Sequence, residues 1–264
     1  MTIEAARLVG SVLAPRILPG ADDPFQEFDH SLLDRFPPRV VIVRTGSRDQ
    51  VLAVLDELGE RLPEPPLVLA DLEGGFRIFD DAPVLPPAMA LGAADDEDLA
   101  RQAGRATALA GAAWGVAGIL APVLDVFSLA DAPIVGNRSF GADPGRVGAL
   151  GAAYVRGIHE GGGLAVIKHF PGHGAAAGDS HLERPLLDAD RATWEARDLP
   201  PFRGALQAGA RAVMTGHLEA PALGCAEGEP ASGSKAVVDG LLRGEWGFEG
   251  LVMTDALTMA GATG

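Results

Sequence analysis

Short runs of Val, Ile, Leu and Ala punctuate the chain at 7–13, 40–43, 67–70, 118–121, 164–167, 212–214 and 251–253. Several are apolar at consecutive positions, the pattern of strands whose two faces are both covered. Between them lie helical segments at 49–61, 97–114, 144–160, 200–208 and 235–243. Ser47 or Asp49 stands where the first of these helices would be capped, and Ser234 where the last would be. Strand and helix alternate, which predicts an α/β fold on a parallel sheet, because parallel neighbours must be joined by a crossover.

The polar residues refine that prediction. Asp71, Asp125, Lys168, His169, His217 and Asp255 fall at or just past the ends of five different apolar runs. Barrels collect functional groups from many strand ends at one face, whereas an open sheet gathers them around a switch point. The expected architecture is a TIM-type (β/α)8 barrel, one catalytic domain over 1–264. Seven strand runs are present, so the eighth strand is expected beyond the end of this chain, which reads as truncated at its C-terminus. The Gly/Pro-rich stretch 221–233 reads as a long loop, and such loops in compact domains are often functional.

Composition adds exclusions. The chain is 47% hydrophobic and 22% charged, enough for a sizeable core, and its net charge of -15 repels nucleic acid and anionic membranes alike. Cys225 is the only thiol, so no intrachain disulfide is possible. No apolar run approaches the ~20 residues of a membrane span, and the N-terminus lacks the basic lead-in of a signal peptide. A cytoplasmic protein with neither nucleic-acid nor membrane partners is expected; oligomeric state is not legible.

The densest chemistry lies just after the fifth run. Lys168-His169-Phe170-Pro171-Gly172-His173-Gly174 is followed by Asp179-Ser180-His181, three histidines, a lysine and an aspartate within 14 residues. Glycine and proline make this segment a loop, so its side chains can converge. Asp179 and His181, two apart, fall on one side of an extended segment, where a carboxylate can hold one imidazole nitrogen and leave the other for proton transfer. Asp255 ends the last buried run. Taken alone it suits a helix N-cap as well as a nucleophile; facing a His–Asp pair across a barrel mouth, it suits double displacement at a carbon electrophile. Arg138, in the polar loop 134–141, suits a carboxylate or sugar hydroxyls as its partner, or a surface ion pair.

Together these segments resemble glycoside hydrolase family 3, and within it the β-N-acetylglucosaminidases. KHFPGHG at 168–174 with DSH at 179–181 is similar to the branch signature. DLEGG at 71–75, APVLDV at 121–126, GNRSFGADP at 136–144, VMTGHL at 213–218 and GFEGLVMTDALTM at 247–259 follow in the family's order. The resemblance implies Asp255 as nucleophile and His181 as general acid/base, oriented by Asp179. It implies Asp71, Arg138, Lys168 and His169 as ligands of the terminal sugar, no cofactor, no metal, and a substrate bearing N-acetylglucosamine, such as a muropeptide in cell-wall recycling. The chain departs from the family at Ala175 and Ala176, where an acidic or amide residue and a threonine are usual, and at Phe79, where an arginine is frequent.

Four alternatives stand beside a retaining hydrolase: a family 3 β-glucosidase, an N-acetylglucosaminide phosphorylase, a metal-dependent barrel hydrolase using His169, His173, His181, His217 and Asp255, and an inactive sugar-binding protein.

Overall fold

The computed structural model describes residues 2–27, 30–75, 77–80, 82–129 and 134–263. Seven strands form one parallel sheet in strictly sequential order: β1 (Arg16–Ile17), β2 (Val40–Val43), β3 (Leu67–Ala70), β4 (Gly118–Ile119), β5 (Leu164–Phe170), β6 (Ala212–Thr215) and β7 (Leu251–Thr254). A doubly wound sheet would reverse its order at a switch point. The order here never reverses, so the sheet curls one way, as barrel strands do.

Side-chain alternation divides the sheet's two faces into two cores. Val41, Val43, Val68, Ala70, Ala165, Ile167 and Val213 pack outward with the helices in the large core. Ile42, Leu69, Leu120, Val166, Ala212, Met214 and Met253 form a separate cluster on the concave face. With both faces covered, alternate positions are equally apolar, which is why these strands read as continuous runs.

The main helices lie between the strands: α1 (Ile3–Ser11), α2 (Ser31–Arg35), α3 (Arg48–Arg61), α4 (Ala88–Ala94), α5 (Glu97–Ala112), α6 (Pro144–Glu160), α7 (Arg191–Thr193), α8 (Leu199–Gln207) and α9 (Ala260–Thr263). Ser47 caps α3 in a reciprocal capping box with Gln50, and Asp143 caps α6 with Pro144 in its first turn. Where α5 crosses α6, a Cβ on Gly157 would come within 1.9 Å of the Arg101 carbonyl oxygen, so only glycine permits that approach.

Two expectations fail. The run 7–13 is not the first strand; most of it belongs to α1, started by the Thr2 side chain accepting from the Ala5 N–H. The true β1 is two residues long and begins with a charged side chain, so it carries no apolar run to find. Ser234 does not cap the last helical segment, Ala236–Glu245, by its side chain. That segment winds as a π-helix.

Candidate active site

Because all seven strands are parallel, their C-terminal ends share one rim, and the polar residues singled out above meet there. Lys168 and His169 are still within β5; Asp71 follows β3 directly, His217 lies two residues past β6, and Asp255 follows β7.

Lys168 is 2% exposed, and its Nζ donates to Asp71 Oδ1 at 2.6 Å and lies 2.5 Å from Glu73 Oε1. Glu73 is also gripped by Arg138, with Nε donating to Oε2 at 2.6 Å and Nη2 to Oε1 at 2.7 Å. This forked geometry is the strong form of an ion pair. Burial opposes the charges of Glu73 and Lys168, yet Lys168 and Arg138 hold the Glu73 carboxyl well below the usual range, and Asp71 and Glu73 keep the Lys168 ammonium protonated above its ordinary value.

Beside it, Asp125 is fully buried and accepts three hydrogen bonds: His169 Nδ1 at 2.7 Å, the His173 N–H at 2.7 Å and the His169 N–H at 3.3 Å. Despite burial, His169 and His173 hold its carboxyl below the ordinary value. Asp125 thereby fixes both the ring of His169 and the turn that follows β5. Arg138 Nη2 lies 3.3 Å from the other ring nitrogen of His169, which joins the two clusters.

Asp255 is half-buried. Its own N–H donates to the Thr215 carbonyl at 2.9 Å, and the Ala256 N–H donates to Oδ1 at 2.8 Å. Burial pushes its carboxyl up, but His169, the Ala256 N–H and Lys168 outweigh that and hold it below the ordinary value. An ionised carboxylate with one fixed oxygen faces the rim.

Asp179 and His181 form a pair of their own. The His181 ring is 61% exposed and donates from Nδ1 to Asp179 Oδ1 at 2.7 Å, an oxygen that also takes the His181 N–H at 2.9 Å. Nε2 is left toward solvent. No hydrogen bond among the described residues joins this pair to the Lys168 cluster. Its link is to the segment after β7, where the Gly261 N–H donates to the Ser180 carbonyl at 3.0 Å and the Ala260 N–H to the His181 carbonyl at 3.3 Å.

The structure therefore brings Asp71, Arg138, Lys168 and His169 together, sets Asp255 near them, and joins Asp179 to His181 on a separate loop. Sequence reasoning gave Glu73 and Asp125 no individual role, although both stand in quoted motifs, DLEGG and APVLDV. Of the three departures, Phe79 and Ala176 are buried in the hydrophobic core and Ala175 packs against it. For the metal alternative, the described residues hold no group of three or more His, Cys, Asp or Glu side chains able to share an ion. No helix among them is long and apolar enough to cross a membrane.

Residues 44–264 match the Glycosyl hydrolase family 3 N terminal domain. A Beta-hexosaminidase of Chromobacterium violaceum is 39% identical over 225 residues, 82% of this chain and 62% of that protein. The structure superposes on a glycoside hydrolase family 3 beta-N-acetylglucosaminidase from Paenibacillus sp. str. FPU-7 with a TM-score of 0.86 at 33% identity, covering all of this chain and 51% of the other. It superposes on the beta-glucoside phosphorylase BglX, bound to 2FGlc, with a TM-score of 0.90 at 28% identity, over 98% and 48% of the two chains. The chain thus spans 62% of the Chromobacterium relative's length and about half of each solved neighbour.

Proposed function

The chain belongs to glycosyl hydrolase family 3, and from that premise we propose that it is a retaining β-N-acetylglucosaminidase acting on terminal, non-reducing N-acetylglucosamine. The observation that carries this reading is the division of the rim into two chemically distinct parts. One is an ionised, oriented carboxylate beside a cluster of ion-paired side chains; the other is an exposed imidazole backed by its own carboxylate.

In this scheme one oxygen of Asp255 attacks the anomeric carbon while the bond to the departing oxygen breaks and His181 Nε2 gives that oxygen its proton. Asp179 supports the imidazolium that would otherwise be left uncompensated. Water then attacks the same carbon, its proton passes to His181, and Asp255 leaves as carboxylate. Two inversions leave the stereochemistry retained. Asp71, Arg138, Lys168 and His169 bind the sugar's hydroxyls, and the mutual ion pairs seen here keep them in place before the sugar arrives, which lowers the ordering cost of binding. The same reading takes the seven-stranded sheet as part of a (β/α)8 barrel and assigns the activity to cell-wall recycling in the cytoplasm, with muropeptides as substrates.

A specific observation favours one second reading. The acid/base position holds an imidazole where a carboxylate would repel an anion, and a structural neighbour is named a beta-glucoside phosphorylase. Phosphate in place of water as the acceptor suits that geometry.

Both are tested with aryl β-N-acetylglucosaminides and aryl β-glucosides, each with and without phosphate. Turnover of the N-acetylglucosaminide, independent of phosphate, is expected; glucoside preference or a sugar phosphate product overturns the primary reading. Trapping with a 5-fluoro N-acetylglucosaminyl fluoride is expected to label Asp255, and label on another residue refutes the nucleophile. An active enzyme after Asp255→Asn would refute it equally.

A further inference from the structure

The long loop between β6 and β7 and the histidine after β6 have no part in the scheme above, yet they meet next to Asp255. His217 is fully buried, and buried polar nitrogens need partners. Its Nε2 lies 3.1 Å from the Ala256 carbonyl oxygen, and its Nδ1 lies 2.7 Å from Ser232 Oγ. A carbonyl only accepts, so Nε2 is the donor there and Nδ1 is left to accept from the Ser232 hydroxyl. The Ala256 carbonyl thereby selects the tautomer, Ser232 holds the other ring nitrogen, and His217 pins Ala256. Ala256 is the residue whose N–H occupies Asp255 Oδ1.

We propose that His217, held by Ser232, is a positioning residue for the nucleophile: it fixes Ala256 so that one Asp255 oxygen is tied down and the other is left free for attack. Among the described residues no protein donor reaches Asp255 Oδ2. The Ser232 hydroxyl gives the Gly/Pro-rich loop at 221–233 a function at the site. The backbone of the same residue lies close to Gly261, whose N–H donates to the Ser180 carbonyl in the acid/base loop. A Cβ on Gly261 would come within 2.9 Å of both the His217 and Ser180 carbonyl oxygens, so His217, Gly261 and Ser180 are in close register. A buried imidazole anchored at both nitrogens holds Ala256 more rigidly than a flexible side chain would, and rigid support is what keeps a reacting group in attack geometry.

The inference rests on Asp255 being the nucleophile, and the experiment separates the two claims. The labelled residue is first identified in the unsubstituted protein with the 5-fluoro N-acetylglucosaminyl fluoride; label away from Asp255 refutes that reading whatever His217 does. With label on Asp255, the labelling rate is measured in His217→Leu, His217→Gln and Ser232→Ala, alongside inhibition by N-acetylglucosamine. Leucine should slow labelling about 10²-fold, the loss typical of a misplaced reacting group. Glutamine, which can still donate to the Ala256 carbonyl, should recover most of that rate. Ser232→Ala should slow labelling about tenfold while N-acetylglucosamine binding stays within about threefold, because the interaction serves the transition state. Parental labelling rates in both His217→Leu and Ser232→Ala overturn the proposal. So do losses of labelling matched by equal losses of sugar binding, the pattern of a packing defect. If the leucine variant fails to fold, Ser232→Ala decides alone.

Discussion

Replacing Glu73 by glutamine keeps the side chain's shape and removes its charge, which isolates the electrostatics of the cluster it forms with Lys168 and Arg138. In the native site Glu73 neutralises two cations at once: Oε1 lies 2.5 Å from Lys168 Nζ, and both oxygens take the fork of Arg138 at 2.6 and 2.7 Å. The Lys168 side chain is 2% exposed, so water cannot substitute for the lost charge, and Asp71 is left as its counter-ion. Breaking a buried pair by removing one partner costs about 3–5 kcal/mol. Glu73 is itself 18% exposed, which points to the lower end, about 3 kcal/mol. At about 2–4 °C per kcal/mol for a domain of this size, the midpoint of thermal unfolding should fall by about 6–12 °C. Circular dichroism melts at neutral pH measure this, with Glu27→Gln as the control. Glu27 pairs with Arg16 at the surface, with side chains 31% and 38% exposed, and such pairs contribute about 1 kcal/mol or less. Equal shifts for the two variants, or a fall under about 3 °C for Glu73→Gln, would refute the view that this cluster is a preorganised, desolvated unit.

Acid should destabilise the fold in a defined window. Glu73 and Asp125 titrate below their ordinary values in the folded state, so the stability they confer is complete above the unfolded values of about 4 and is lost as pH falls toward the folded ones. Urea unfolding should show stability rising with pH across that interval, less steeply after Glu73→Gln; a slope unchanged by the substitution would count against the Glu73 assignment. At the end of β2, Thr45 is held at φ 68°, a left-handed conformation that disfavours β-branched residues. Its side chain is exposed and only its N–H is engaged, to the Ile78 carbonyl, so Thr45→Asn should raise stability by about 0.5–1 kcal/mol, and a lower melting temperature would contradict the strain. Gly174→Ala should be severe, because its Cβ would come within 1.8 Å of the Val126 carbonyl oxygen. About 3 kcal/mol of destabilisation is expected, together with weaker N-acetylglucosamine inhibition; a normal melt would show that the loop after β5 is less tightly seated than its contacts imply.

What the sequence determines by itself is whatever depends on near neighbours along the chain. Six of the seven strands were legible because both faces of each are buried, so consecutive apolar residues mark them without knowledge of their partners. The pairing of His181 with Asp179 was legible because a spacing of two in a short turn forces proximity. The placement of Lys168, His169 and Asp255 at one rim followed from strand ends in a parallel sheet. Tertiary structure decided the rest, where meaning depends on register between distant segments. Arg16–Ile17 is a strand because it adds to the edge of β2, not because of its own composition. Glu73 is an anchor because β3 and β5 bring it to Lys168 and the loop before α6 brings Arg138. Asp125 is a buried acceptor only because the turn after β5 folds back over it. His217, Ser232 and Ala256 lie 15 and 39 residues apart along the chain, and no local pattern marks a contact whose strength comes from burial. The position of Asp255 could be read from its strand; what surrounds and holds it could be read only from the folded chain.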